Sequence, residues 1–329
     1  MVILVTGAAG FLGSHVVDYL LRNEYTVYAI DDLSRGSRAN IKDHLDNPNF
    51  HFTAADTRTA FVKEDFVDQR IDYVLHFASI VGSVNLYQDR PSHVAMTNMG
   101  VDLATLQFCL SRKVSKLIYF SSGHVYPKIL TRQNSSIFHN EEAAFPADPE
   151  LSYGWAKLFG EIMCREATVE FPWFSAMCLR LVGIYGPGQD VNQSTASLIP
   201  ALCSRILERP NHPLQIRTDG TETRTYLYIT DFIAALEKVL NRQEFPSKFC
   251  TFNLSADRQY AVKDIASLVI EASGNKVRVA PDVGKHGDIR VQNFSSHKFS
   301  QEYNWTPKVP LSDGILLTYA SMKATLTHS

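Results

Sequence analysis

The chain has almost no net charge, no long apolar run and no paired cysteines, and each absence removes a class of function. With 32 Lys and Arg against 34 Asp and Glu, its formal net charge is −2. No positive field therefore exists to gather a nucleic acid or an anionic membrane, and any anion must be held by a local site. No stretch approaches the roughly 20 apolar residues that span a bilayer. Val2 to Val5 is apolar but stops at Thr6-Gly7, too short for the core of a secretion signal. The five cysteines, Cys109, Cys164, Cys178, Cys203 and Cys250, are odd in number, scattered and outside any CxxC pair. That argues against a disulfide framework and against a zinc site, so reduced thiols and a cytoplasmic location are expected. The sequon Asn134-Ser135-Ser136 means little without a secretion signal. Internal repeats and low-complexity tracts are also missing. What remains is 329 residues, 45% of them hydrophobic, enough for one large domain or two closely joined ones with a substantial core.

Against that background the amino terminus is informative. Val2-Ile3-Leu4-Val5 reads as a short buried strand. Thr6-Gly7-Ala8-Ala9-Gly10-Phe11-Leu12-Gly13 follows, then an amphipathic helix to about Leu21, then a second buried strand from Thr26 to Ile30 that ends at Asp31. Strand, glycine turn, helix, strand and acid is the order a dinucleotide site requires. Glycines let the backbone turn tightly and admit phosphate oxygens, and the helix amino terminus offers free N–H groups and a positive dipole end. Further strands are expected at His51–Ala55, Tyr73–Phe77, Ser115–Ser121 and Phe174–Arg180, with a long helix opening at Pro91. Alternation of this kind predicts an α/β fold, a doubly wound parallel sheet covered on both faces. The first 180 residues would form it. Residues 181–329, more helical with short strands, would form a smaller mixed α/β substrate domain, some of whose strands return to the main sheet.

Tyr153 and Lys157 stand four residues apart. On a helix they share a face, and an ammonium near a phenol favours the phenolate, making tyrosine a usable general base. Ser121 and Ser122 lie upstream at the end of the fifth predicted strand. The spacing Gly7-x-x-Gly10-x-x-Gly13, taken with Tyr153-x-x-x-Lys157, resembles the short-chain dehydrogenase/reductase superfamily. Chain length and the motifs below resemble its extended branch, the nucleotide-sugar epimerases and dehydratases, over nearly the whole chain.

The resemblance implies a Rossmann-type domain and roles for particular residues. Gly7, Gly10, Phe11, Leu12 and Gly13 would cradle NAD, and Asp31 would accept from the adenosine ribose and repel a 2′-phosphate. Arg35 and Arg38 keep NADP open as the lesser choice. Asp56 and Thr57 would lie at the adenine and the backbone of Phe77 and Ala78 along the cofactor. Asn98 would be a bracing residue beside it, and His76 a structural histidine. Ser122, Tyr153 and Lys157 would be the catalytic set. Ser122 would hold the sugar oxygen, Tyr153 deprotonate it, and Lys157 also bond the nicotinamide ribose, with no metal needed. In the family's 4,6-dehydratases the positions of Gly123 and His124 are Asp and Glu, and in the decarboxylases the second is Glu. Their absence leaves epimerisation through a transient 4-keto sugar, or one-way reduction of a 4-keto sugar. Loss of the Tyr or the Lys would have pointed instead to a non-enzymatic dinucleotide sensor.

Ser121-Ser122-Gly123-His124-Val125-Tyr126-Pro127 is similar to the Ser-Ser-x-Cys-Ile-Tyr-Pro of GDP-mannose 3,5-epimerase and GDP-fucose synthase, with His124 at the position of the basic Cys. Their second acid/base position is Ser197 here, a poor proton donor. Many members have Asn at Gly183, contacting the substrate diphosphate. Asp219-Gly220-Thr221-Glu222-Thr223-Arg224 matches the family segment whose Arg grips the diphosphate, which assigns Arg224 to that role. Arg290 resembles a second substrate arginine. Asp231 is expected to cap a helix starting at Phe232. The resemblance also implies a homodimer through the helices of Asn98 and Tyr153.

Overall fold

The computed structural model describes residues 1–327 except 62–69, 83, 133–135, 190–195, 243 and 282–290. Seven parallel strands form one sheet: β1 (Val2–Thr6), β2 (Thr26–Asp31), β3 (Phe50–Ala54), β4 (Tyr73–His76), β5 (Lys116–Ser122), β6 (Ser175–Leu181) and β7 (Phe249–Leu254). Their order is β7-β6-β5-β4-β1-β2-β3. The expected strands appear within a residue or two. The seventh comes from far along the chain and pairs with β6 from Phe249↔Ala176 to Leu254↔Leu181.

Side chains explain why the sheet is covered on both faces. Ile3 and Val5 of β1 join Leu75, Ile118 and Met177 in one core cluster, while Leu4 joins Val74, Leu117 and Ala176 in the other. Successive residues of a strand point to opposite faces, so a sheet buried on both sides needs an unbroken apolar run, which Val2-Ile3-Leu4-Val5 supplies. Helix α1 (Phe11–Arg22) covers the first face with Val16, Val17, Leu20 and Leu21. Each such side chain contributes about 1.5–3 kcal/mol by burial. Helices α2 (Pro91–Ser111) and α3 (Ser152–Glu170) pack together on the other face.

After β3 the chain crosses to the far side of β1 to form β4, so the strand order reverses between β1 and β4. Ligands of open α/β sheets bind in the crevice outside the strand ends at such a reversal, and the glycine turn sits there. Beyond β6 the chain adds small sheets: Ile184–Tyr185 with Leu227–Tyr228, Leu214–Ile216 with Val279–Pro281, and Thr223–Arg224 between Tyr260–Ala261 and Val291–Gln292.

One expectation is corrected. The helix expected to start at Phe232 starts at Ile229, and its cap is Tyr228. Asp231 lies inside the first turn, where its carboxylate accepts from the Val309 N–H at 2.9 Å and its carbonyl from Trp305 Nε1 at 3.2 Å. It ties the carboxyl-terminal segment down rather than capping its own helix, because tertiary donors reach it first.

Candidate active site

A cavity of about 1040 Å³ runs along the strand ends and is lined both by the glycine turn and by the Ser122, Tyr153 and Lys157 region. In the turn, Gly7 has φ +68°, a conformation that suits glycine. A Cβ there would come within 2.7 Å of the Ala78 nitrogen, and one on Gly13 within 2.1 Å of the Gly7 carbonyl. The Gly7 N–H bonds the Ile30 carbonyl at 2.8 Å, which pins the turn to β2. Gly10 caps α1 without a side-chain acceptor, so the first-turn N–H groups face the cavity as an anion cradle. Phe11, Leu12, Phe77, Ala78, Asp56 and Thr57 line the same cavity.

Asp31 is buried and accepts from the N–H groups of Ala9 (3.0 Å) and Leu33 (2.8 Å). Burial pushes its carboxyl above the usual range against these bonds. A carboxylate has about four acceptor sites, so capacity for ribose hydroxyls is left. Arg35 reaches across to the Val81 carbonyl at 3.1 Å, and Arg38 lies over the Phe52 ring. Asp56 caps a short helix and pairs with Arg58. A tight backbone turn, a free helix end and an acid at the end of β2 fit a dinucleotide with an unphosphorylated ribose, held by Gly7, Gly10, Gly13 and Asp31. Asn98 is fully buried; its amide bonds both the N–H (2.7 Å) and the carbonyl (3.2 Å) of Ile80, bracing the loop after β4.

The reactive end is built on β5 and α3. Ser122 ends β5, its hydroxyl accepts from the His124 N–H at 3.2 Å, and it lines the cavity together with Tyr153 and Lys157. Burial holds the Tyr153 phenol well above its usual pKa, with Tyr87 adding to the effect and Ser122 opposing it. Lys157 is fully buried, with Nζ 4.7 Å over the Tyr119 ring. Burial pushes its ammonium down and Asp102 pulls it up. Asp102 takes the Tyr119 hydroxyl at 2.7 Å and His76 Nε2 at 2.9 Å, while His76 Nδ1 meets Thr6 Oγ1 at 2.7 Å. His76 is thus a buried structural link between β1 and α2.

His124 is pushed down to about 4 by burial and then by Arg224, so it is neutral at pH 7. Its ring meets Tyr153 edge-on at 5.6 Å. Arg224 lines the cavity and donates to the Thr223 carbonyl at 2.8 Å. Ser197 lines it too and accepts from Gln189 Nε2 at 3.3 Å. Gly183 has φ +62°, and a Cβ there would strike the Thr225 carbonyl at 2.1 Å, so no asparagine could stand in its place. At Gly123 an added Cβ would lie 3.0 Å from Val182 and 3.1 Å from Phe294, so a larger residue there would need those two side chains to give by a few tenths of an ångström. Arg290 falls outside the described residues.

Sequence reasoning did not reach Tyr87, Asp102, Arg205 and Arg217. Asp102 was within reach: it stands four residues after Asn98 on α2, hence on the same buried face. Arg205 and Arg217 both line the cavity, Arg205 donating to the Gln215 carbonyl at 2.9 Å. Nothing in the local pattern marks Tyr87, because its partner is far away in the chain.

A seven-stranded parallel sheet with a glycine turn at its reversal point and a Ser, Tyr and Lys set at its mouth defines an extended short-chain dehydrogenase/reductase. The chain belongs to the NAD dependent epimerase/dehydratase family, which it matches over residues 3–255. It is 22% identical over 321 residues to the GDP-mannose 3,5-epimerase of Arabidopsis thaliana, covering 98% of this chain and 82% of that one. Among solved structures it resembles the UDP-glucose 4-epimerase of Thermotoga maritima with UDP-glucose (TM-score 0.86, 28% identity, 99% of this chain and 100% of that one). It also resembles the UDP-glucuronic acid 4-epimerase of Bacillus cereus in complex with UDP-glucuronic acid and NAD (TM-score 0.84, 28% identity, the same coverage).

Proposed function

We propose that this protein inverts a carbon of a nucleotide-diphosphate sugar through a transient 4-keto intermediate, with Tyr153 as the base. The observation that carries this reading is that Ser122, Tyr153 and the buried Lys157 line one cavity with the glycine turn. NAD, held by the glycine turn and Asp31, would supply a reversible hydride acceptor beside the sugar. Ser122 holds the sugar hydroxyl, and Tyr153 takes its proton. The Lys157 ammonium favours the phenolate, and its contact with the Tyr119 face helps keep the charge in a buried place. His124, neutral at pH 7, donates or accepts a hydrogen bond at the sugar rather than acting as a charged acid. Arg224 serves the diphosphate. Gly123 and His124 carry no carboxyl group, which speaks against water elimination.

The test is a proton NMR panel in D2O with UDP-, GDP-, CDP- and dTDP-hexoses and no added cofactor. Turnover without deuterium uptake is the expected result and means inversion at C4. Deuterium at C3 or C5 would make His124 a true base. Turnover that appears only with a 4-keto sugar and reduced cofactor would replace the epimerase by a reductase.

We further propose a homodimer. Met96 (73% exposed), Leu103 (45%), Trp155 (48%) and Phe159 (43%) form apolar stripes on α2 and α3, which pack side by side. A second copy laying the same stripes against them would bury both in a four-helix contact. Light scattering should give twice the chain mass, and Leu103→Glu with Trp155→Arg should halve it; a monomeric parent protein would end the idea. Five buried thiols with no disulfide between them support a reducing compartment, the cytoplasm.

A further inference from the structure

Tyr87 lies on the short helix Val84–Asp89, ahead of α2 and outside every motif of the sequence. It is buried and lines the cavity. Its ring stacks on that of Tyr153 with centroids 4.7 Å apart and an interplanar angle of 0°. The His124 ring closes on the pair edge-on, 5.9 Å from Tyr87 and 5.6 Å from Tyr153. The Tyr87 hydroxyl accepts from the Gly82 N–H at 2.9 Å, which fixes the ring from its far end. Val94 and Leu151 complete the apolar cluster around the two phenols.

We propose that Tyr87 is a positioning residue for Tyr153, whose stacked ring fixes the direction of the catalytic hydroxyl and sets the pH at which it becomes a base. This rests on Tyr153 being the base. The physical reason is the aromatic quadrupole, which places negative charge on the ring face. A neutral phenol stacks on that face without penalty, whereas a phenolate spreads negative charge over its own ring and is repelled by it. The groups that bear on Tyr153 are few: Tyr87 from Val84–Asp89, Ser122 at the end of β5, His124 from the turn after it and Asp102 from α2, with Lys157 one turn on along its own helix and Arg224 acting on His124. His124 is neutral in the working range, and Asp102 is shared by His76 and Tyr119. Tyr87 thus resists the phenolate, while Ser122 and, in the proposed reaction, Lys157 favour it.

The test compares Tyr87→Phe, which keeps the ring face, with Tyr87→Leu, which keeps apolar bulk and removes it. Each variant is titrated as the NAD-loaded protein by ultraviolet tyrosinate absorbance, beside the same protein carrying Tyr153→Phe, so that the difference reports Tyr153 alone. Rate against pH is then measured on whichever nucleotide sugar turns over. In Tyr87→Leu the Tyr153 midpoint and the rising limb of the rate profile should both move about one pH unit lower, and Tyr87→Phe should restore the parental midpoint. An unmoved midpoint in Tyr87→Leu, or a fall in rate of the same size at every pH, would overturn the proposal and leave Tyr87 as filling. If Tyr87→Leu does not fold, Tyr87→Met takes its place under the same criteria. The absorbance difference needs no turnover. A shifted midpoint without epimerisation would sustain the coupling while refuting the proposed reaction, and a Tyr153 that shows no separable titration would refute the coupling itself.

Discussion

Replacing Gly154 by alanine should harm the protein although it lies inside a helix. By helix propensity alone, Gly→Ala in a helix interior stabilises by about 1 kcal/mol. Here the added Cβ would stand 2.1 Å from the His124 carbonyl oxygen, where ordinary contacts begin at 3.4 Å. The shortfall is about 1.3 Å, and the obstructing atom is backbone, so no side chain can swing away. Overpacking of this kind costs about 1–3 kcal/mol, which cancels the propensity gain and leaves a net loss of up to about 2 kcal/mol. The shift also falls between α3 and the turn carrying Ser122 and His124, and a displacement of about 1 Å there can cost on the order of 100-fold in rate. Gly100→Ala is the matched control. It lies within α2, and the nearest atom to its added Cβ is Arg58 Cδ at 3.4 Å, on an exposed side chain. It should gain about 1 kcal/mol. Urea denaturation of both variants, with kcat measured beside it, decides the matter. If Gly154→Ala is stabilised as much as Gly100→Ala and keeps its kcat, the close approach read from the structure is wrong.

The buried pair Arg180–Glu161 is bidentate, at 2.9 and 2.7 Å, and also takes in Ser121 and Tyr126. Arg180→Met should cost about 3–5 kcal/mol by stranding the carboxylate, and adding Glu161→Leu should recover most of it, because the buried charge is then gone; urea midpoints of the single and double variants test this. His124 sits at about 4 in the folded chain against 6.5 unfolded. Its folded pKa is depressed, so the unfolded chain binds more protons between those values, and the stability it contributes is complete above about pH 6.5 and lost towards pH 4. The ring is partly open to the cavity, which reduces the loss to about 2 kcal/mol. Between pH 7 and pH 4 the parent protein should lose that much more than His124→Gln, and equal losses would refute the burial argument. Tyr153→Phe should reduce turnover by about 100- to 10,000-fold with NAD binding intact, measured by rate assay and by cofactor retention on a sizing column.

Much of the fold was legible because its signals are local. A strand buried on both faces is an apolar run, a turn against a phosphate is a set of glycines, and a Tyr and a Lys four apart need only a helix to meet. The pairing of Phe249–Leu254 with β6 at the edge of the sheet joins segments too far apart in the chain for any local signal to set its register. The cap assigned to Asp231 failed for a physical reason: a carboxylate within a helix turn that can reach the Val309 N–H across 78 residues is used there instead.

What the sequence by itself determined is therefore the periodic and the contiguous: β1 with its glycine turn, the acid at the end of β2, and the Tyr153–Lys157 face. The tertiary structure alone decided how those pieces are tuned. Tyr87 against Tyr153, Phe294 over Gly123 and the His124 carbonyl over Gly154 join residues dozens of positions or more apart. Burial and long-range contact set the acidity of a base and the room beside it, and neither has a period or a spacing along the chain from which it could be read.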